Sequence, residues 1–115
     1  MMLPQPHRHR IAGNEVVVDL ALHAGHPVFF GHFPGHPVLA GAVQIDWAMG
    51  FAGEYLGLGQ RAAQEFQVKF RRVIVPATAL SLTLLLDRPR GTLSFDYRVD
   101  TTLASSGRIR LEPHA

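Results

Sequence analysis

At 115 residues and 12.7 kDa the chain is long enough to bury one core and too short for two, which excludes a two-domain enzyme. Hydrophobic residues make up 47% and charged residues 17%, the balance of a folded domain and not of a disordered chain, and the lack of cysteine excludes disulfide scaffolds, thiolate zinc sites and sulfur nucleophiles. A formal charge of +2, carried by ten Arg and one Lys against nine acids, is mildly basic; it favours an acidic partner, and it lacks the clustered, aromatic-laced stripe of a nucleic-acid binder.

In chain order, Met1 to Arg10 is rich in Pro, Arg and His with no apolar run, so a flexible start and no secretory signal are expected. Glu15 to Leu22 alternates through Val16, Val18, Leu20 and Leu22, the period of a half-buried strand. Gly25 to Pro37 then holds three Pro, three Gly and three His among phenylalanines, which is a structured loop and cannot be a helix or a ladder strand. From about Leu39 to Leu56 apolar residues cover nearly every face of a helix, with Gly57 and Gly59 as stop signals. Four strand-like stretches follow: Gln64 to Val73, Leu80 to Leu86, Thr92 to Thr101 and Gly107 to Glu112. Turn residues stand at Arg88-Pro89-Arg90-Gly91 and at Ser105-Ser106-Gly107.

One helix against an antiparallel sheet is an α+β arrangement, here a single domain over residues 1–115. One sheet covers only part of a helix that is apolar on all sides, so the remainder is expected to meet a second copy, giving a homodimer. The longest apolar stretch, Val38 to Leu58, is broken by Gln44, Asp46 and Glu54; no membrane span is expected, and the reading is a soluble, cytoplasmic protein.

Four of the seven histidines, His23, His26, His32 and His36, fall within fourteen positions, but their spacing is not that of a zinc helix or finger and no acid lies among them, so no metal is expected. His32 stands in the apolar run Phe29-Phe30-Gly31-His32-Phe33-Pro34; it is either a core histidine bonded to a carbonyl or a catalytic base. Asp46 lies in the most apolar segment, where a carboxylate is costly unless it pairs with a group such as a strand Arg or does chemistry. Together a neutral His and a desolvated carboxyl make a general base and general acid. Gly41 falls near the helix N-terminus, where free N–H groups favour negative charge developing on a carbonyl oxygen; it also serves simply as a tight loop-to-helix turn.

Gly31-His32-Phe33-Pro34-Gly35-His36-Pro37-Val38-Leu39-Ala40-Gly41, followed by Ile45-Asp46-Trp47-Ala48, resembles the active-site signature of the β-hydroxyacyl-ACP dehydratases of the hot-dog fold, the FabZ and FabA type. Val68 to Pro76 is similar to the strand that follows the helix in that family, and the Ile45-Asp46-Trp47 run is also similar to the ApeI-like aryl polyene branch. The resemblance runs from about Phe29 to Leu86 and implies an antiparallel sheet wrapped around one long central helix. It implies His32 and Asp46 as catalytic residues, from different subunits of the dimer. It further implies Gly41 N–H as the group that binds the thioester carbonyl, Val38 as the carbonyl that orients the histidine, and Phe33 beside them at the substrate. No cofactor is needed, because the thioester acidifies the neighbouring carbon. The implied partner is acyl carrier protein; Lys69, Arg71 and Arg72, with Arg88 and Arg90, are the candidate basic landing area for it.

The sequence departs from the pattern at Ala40, where the family usually has Pro, at Gly50, where many members place a Gln beside the carboxyl, and at Ala77-Thr78, which replaces a Gly-Asp turn. The implied reaction is dehydration of a (3R)-hydroxyacyl thioester to the trans-2-enoyl thioester. A hot-dog thioesterase, or an acyl-binding subunit without turnover, are the alternatives.

Overall fold

Alternating apolar side chains build the sheet, and the helix supplies the surface that buries them. The computed structural model describes residues 3–23, 25–29, 38–58, 61–76 and 78–113. Six strands, β1 (Arg8–Ala12), β2 (Glu15–Leu22), β3 (Ala63–Phe70), β4 (Thr78–Asp87), β5 (Thr92–Val99) and β6 (Thr102–Leu111), form one antiparallel sheet in the order β1-β2-β4-β5-β6-β3. The helix α1 (Gly41–Tyr55) packs against one face, and a short 3-10 turn, Pro27–Phe29, follows β2. This is the expected α+β arrangement.

The inward positions predicted by the period of two are buried: Val16 and Val18 of β2, Leu82 and Leu84 of β4, Leu93 and Phe95 of β5, and Ile109 of β6. They close over Val43, Trp47, Ala48, Phe51 and Ala52 of α1. Each fully buried Leu or Phe contributes on the order of 1.5–3 kcal/mol of transfer free energy. Among the described residues, no helix is long and apolar enough to cross a membrane.

The helix ends where the glycine signal predicts. Leu56 N–H bonds the Ala52 carbonyl and Gly57 takes the left-handed conformation, φ 67°. The burial of α1 agrees with the expectation that one sheet covers only part of the helix. In one chain the sheet covers one face, and Ala42, Asp46 and Glu54 of the opposite side are exposed.

Two expectations are corrected. The start of the chain is not a loose tail over its described part: Arg8 to Ala12 pairs along β2, and His7 N–H bonds the Asp19 carbonyl at 2.8 Å. The His9 ring stacks on Tyr55 at 4.3 Å, and Leu3 packs over Gly50, where a Cβ would come within 2.7 Å of it. Every β1 residue is exposed, so no apolar alternation reveals the strand. The signal that does is Gly13-Asn14 between two strand runs, with Gly13 at φ 61°.

Ser105-Ser106-Gly107 is likewise not a turn; β6 runs through it, and the chain reverses at Asp100-Thr101, with Asp100 at φ 55°. These small residues serve the interior instead. A Cβ on Gly107 would lie 2.5 Å from the Phe95 ring, and Ser105 is buried against α1. The turn expected at Arg88 to Gly91 is present, joining β4 to β5, with Gly91 N–H bonded to the Arg88 carbonyl.

Candidate active site

The start of α1 and the end of β3 enclose a cleft of about 350 Å³. Val38, Gly41 and Gln44 line one wall, and Phe70, Arg71 and Arg72 the other. Gly41 fits because the Phe70 ring lies on it: a Cβ there would stand 2.6 Å from the ring. The first turn of the helix has no intrahelical acceptor for its N–H groups, and Gln44 N–H, bonded to Ala40 O at 3.1 Å, closes the ladder. Ala40 is in extended conformation, φ −61° and ψ 145°, and offers no capping side chain. The positive end of the helix is therefore left to the cleft.

Gln44 is the buried polar residue of the helix. Its Nε2 donates to Leu39 O at 3.0 Å, and its Oε1 accepts from Ser105 Oγ at 2.6 Å. Tyr97 donates its hydroxyl to the Gln44 backbone carbonyl at 2.7 Å. Burial holds the Tyr97 phenol well above its ordinary pKa, so it remains a donor throughout the working range. Gln44, Ser105 and Tyr97 were missed as site residues by sequence reasoning. The signal was there for Gln44, a polar side chain in the same apolar run that draws attention to Asp46.

Of the residues expected at the site, Val38, Gly41, Arg71 and Arg72 come together at this cleft. His32 and Phe33 lie outside the described residues. On either side of them Phe29 and Leu39 are buried, and Leu39 N–H bonds the Ile74 carbonyl at 2.7 Å. His26, just before the 3-10 turn, accepts Val28 N–H on Nδ1 at 3.1 Å and lies edge-on to Trp47.

Asp46 does not sit in a closed apolar cavity of its own chain. It is exposed, on the helix face that carries Ala42 and Gly50 one turn to either side. The ion pair with a strand Arg that the sequence left open is absent among the described residues, where the ion pairs are Arg8–Asp19, Arg90–Asp87, Arg98–Asp96 and Arg110–Glu65.

The candidate basic area divides. Arg71 and Arg72 rim the cleft, while Lys69 lies in a separate recess with Gln67, Ser94 and Arg108 on the outer side of the sheet. Arg88 is occupied elsewhere, bonding Asn14 Oδ1 at 2.8 Å and the Leu56 carbonyl at 2.7 Å near the far end of α1. There its charge meets the negative end of the helix, which removes it from the landing area.

A single long helix packed against a six-stranded antiparallel sheet, with a cleft at the helix start, defines a hot-dog protein. The model of the ApeI-like family, described as ApeI dehydratase, matches residues 8–108, and the chain belongs to that family. It is 28% identical over 123 aligned positions to a 3-hydroxyacyl-[acyl-carrier-protein] dehydratase FabZ of Streptococcus mutans, covering 90% of this chain and 88% of that one. The structure of the dehydratase heterocomplex ApeI:P of Xenorhabdus doucetiae superposes with a TM-score of 0.89 at 33% identity, over 97% of this chain and 100% of that chain. Thioesterase superfamily member 2 of Mus musculus shares the fold alone, with a TM-score of 0.66 at 13% identity over 89% of this chain and 77% of that one.

Proposed function

We propose that the protein removes water from (3R)-hydroxyacyl groups held as thioesters on acyl carrier protein, giving the trans-2-enoyl thioester. The observation that carries this reading is the cleft itself. An uncapped helix N-terminus at Gly41 faces a wall that ends in Arg71 and Arg72, in a chain of the ApeI-like family. The thioester oxygen is received at Gly41 N–H, where the helix end favours the negative charge that develops as the α-proton leaves. His32 takes that proton from C2, the C2–C3 double bond forms, and the C3–O bond breaks as Asp46 protonates the departing hydroxyl. Water is released, and the proton on His32 returns to Asp46 through solvent. Arg71 and Arg72 receive the acidic carrier at the mouth.

The site is completed by a second copy. Phe66 and Phe70 of β3, a sheet edge, and Val73 just beyond it are more than half exposed, and Asp46 opens on the uncovered helix face. Pairing of two such edges covers these apolar groups and brings His32 of one protomer toward Asp46 of its partner.

The test is mass spectrometry of a panel of hydroxyacyl carrier-protein thioesters incubated with the enzyme. Loss of water with the acyl group still on the carrier is expected, and it disappears in His32→Ala. Release of the free carrier thiol without an enoyl product would replace this reading by thioester hydrolysis.

A further inference from the structure

We infer that Gln44 is a positioning residue for the dehydration, acting through the Leu39–Ala40–Gly41 turn; this rests on the function proposed above. Ala40 supplies no cap, so no N-cap side chain fixes the direction of the first helical turn. Gln44 does so from inside the helix. Its backbone N–H holds Ala40 O, its side-chain Nε2 holds Leu39 O, and Leu39 N–H is tied in turn to Ile74 O.

A Ser, Thr or Asp cap would set its oxygen on the Ala42 or Val43 amide, next to Gly41 N–H, and so offset the positive helix end that the substrate oxygen meets there. Fastening the turn through its carbonyls fixes the geometry and leaves those amides open. The carboxamide is itself held, because Ser105 on β6 donates to its Oε1, and Tyr97 on β5 fixes the same residue's peptide carbonyl. Two strands of the sheet thereby set the aim of Gly41. Gln44 and Gly41 line one cleft, and Gln44 is only 3% exposed, so its role is exerted from behind the cleft wall.

The test is the kinetics of Gln44→Met, Ser105→Ala and the double variant on a carrier-bound hydroxyacyl thioester. For Gln44→Met, kcat is expected to fall about 10- to 100-fold, up to the loss seen when one oxyanion donor is removed, with KM within about threefold of wild type. Ser105→Ala falls in the same direction by less. The double variant is no slower than Gln44→Met alone, since the serine acts only through the carboxamide. If Gln44→Met does not fold, Ser105→Ala decides: a lower kcat at unchanged KM supports the role, and a wild-type kcat overturns it. Folded variants with wild-type kcat, or effects that add in the double variant, overturn it as well. Absence of water loss from the wild-type protein overturns the proposed function, and this inference with it.

Discussion

Strands β5 and β3 flank β6 on its two sides and carry the same kind of sequence, Leu93-x-Phe95-x-Tyr97 in one and Phe66-x-Val68-x-Phe70 in the other. In β5 these side chains are at most 1% exposed; in β3, Phe66 and Phe70 are 55% and 53% exposed. The register pairs Phe66 with Ile109 and Phe70 with Ser105, so both phenylalanines stand on the helix side of the sheet, where α1 covers them only in part: the Phe70 ring lies on Gly41 and is still more than half exposed. The helix shows the same contrast between its Trp47 and Phe51 face and its Ala42, Asp46 and Gly50 face. The lesson is that alternation specifies a strand and its inner face without specifying what covers that face. The regions left open are the ones that carry the proposed chemistry.

Adjacent residues of α1 break this comparison most sharply. Asp46→Asn is expected to lower kcat for dehydration by about 10²- to 10⁴-fold with a melting temperature near wild type, because it removes the acid from an exposed position. Trp47→Ala, at 1% exposure, is expected to cost about 3–5 kcal/mol of stability. Urea unfolding beside steady-state kinetics separates the two effects.

The strands offer the second contrast. Phe95→Ala on β5 is expected to cost about 3–5 kcal/mol, as core truncations of aromatics do. Phe66→Glu with Phe70→Glu on β3 is expected to leave a folded chain but convert a dimer into a monomer that has lost its activity. Sedimentation velocity with circular dichroism reads both, and a double variant that stays dimeric would remove β3 from the interface.

A smaller effect distinguishes the two ends of the basic run. Reversing Arg71 and Arg72 to Glu is expected to raise KM for carrier-bound substrate about tenfold and leave small thioester mimics unchanged, whereas Lys69→Glu, on the outer recess, changes either by less than about twofold. The smallest effect is a pH slope. Tyr97 keeps its proton in the folded protein beyond the unfolded value of about 10, so the folded state binds more protons there and stability falls as pH rises past that value. Tyr97→Phe, destabilised at neutral pH by the lost bond to Gln44, is expected to show a shallower loss between pH 9 and about 11 in denaturant titrations.

Much of the architecture was legible because it rests on short-range rules. The period of two marked β2, β4 and β5, the glycine after Leu56 marked the helix end, and Arg88 to Gly91 marked a turn. Exposed β1 carries no periodicity, and Ser105 to Gly107 reads as a turn only until the Phe95 ring across the sheet is known to need that space. At the site, Val38 and Gly41 were read as substrate-binding through the resemblance and Arg71 and Arg72 as a basic landing area, and the fold brings the two pairs to one cleft. The Gln44, Ser105 and Tyr97 network was not, because it joins residues that are 53 and 61 positions apart. Lys69 was grouped with Arg71 by adjacency, but the fold puts it in a recess on the outer side of the sheet.

The most direct test of a site shared between two copies is complementation. His32→Ala and Asp46→Asn proteins, each inactive alone, are mixed under conditions that exchange subunits, and exchange is verified by native mass spectrometry. Random exchange makes half of the dimers mixed, each with one intact site of two, so activity is expected to return to about a quarter of wild type. Verified exchange with no return of activity would contradict the shared site.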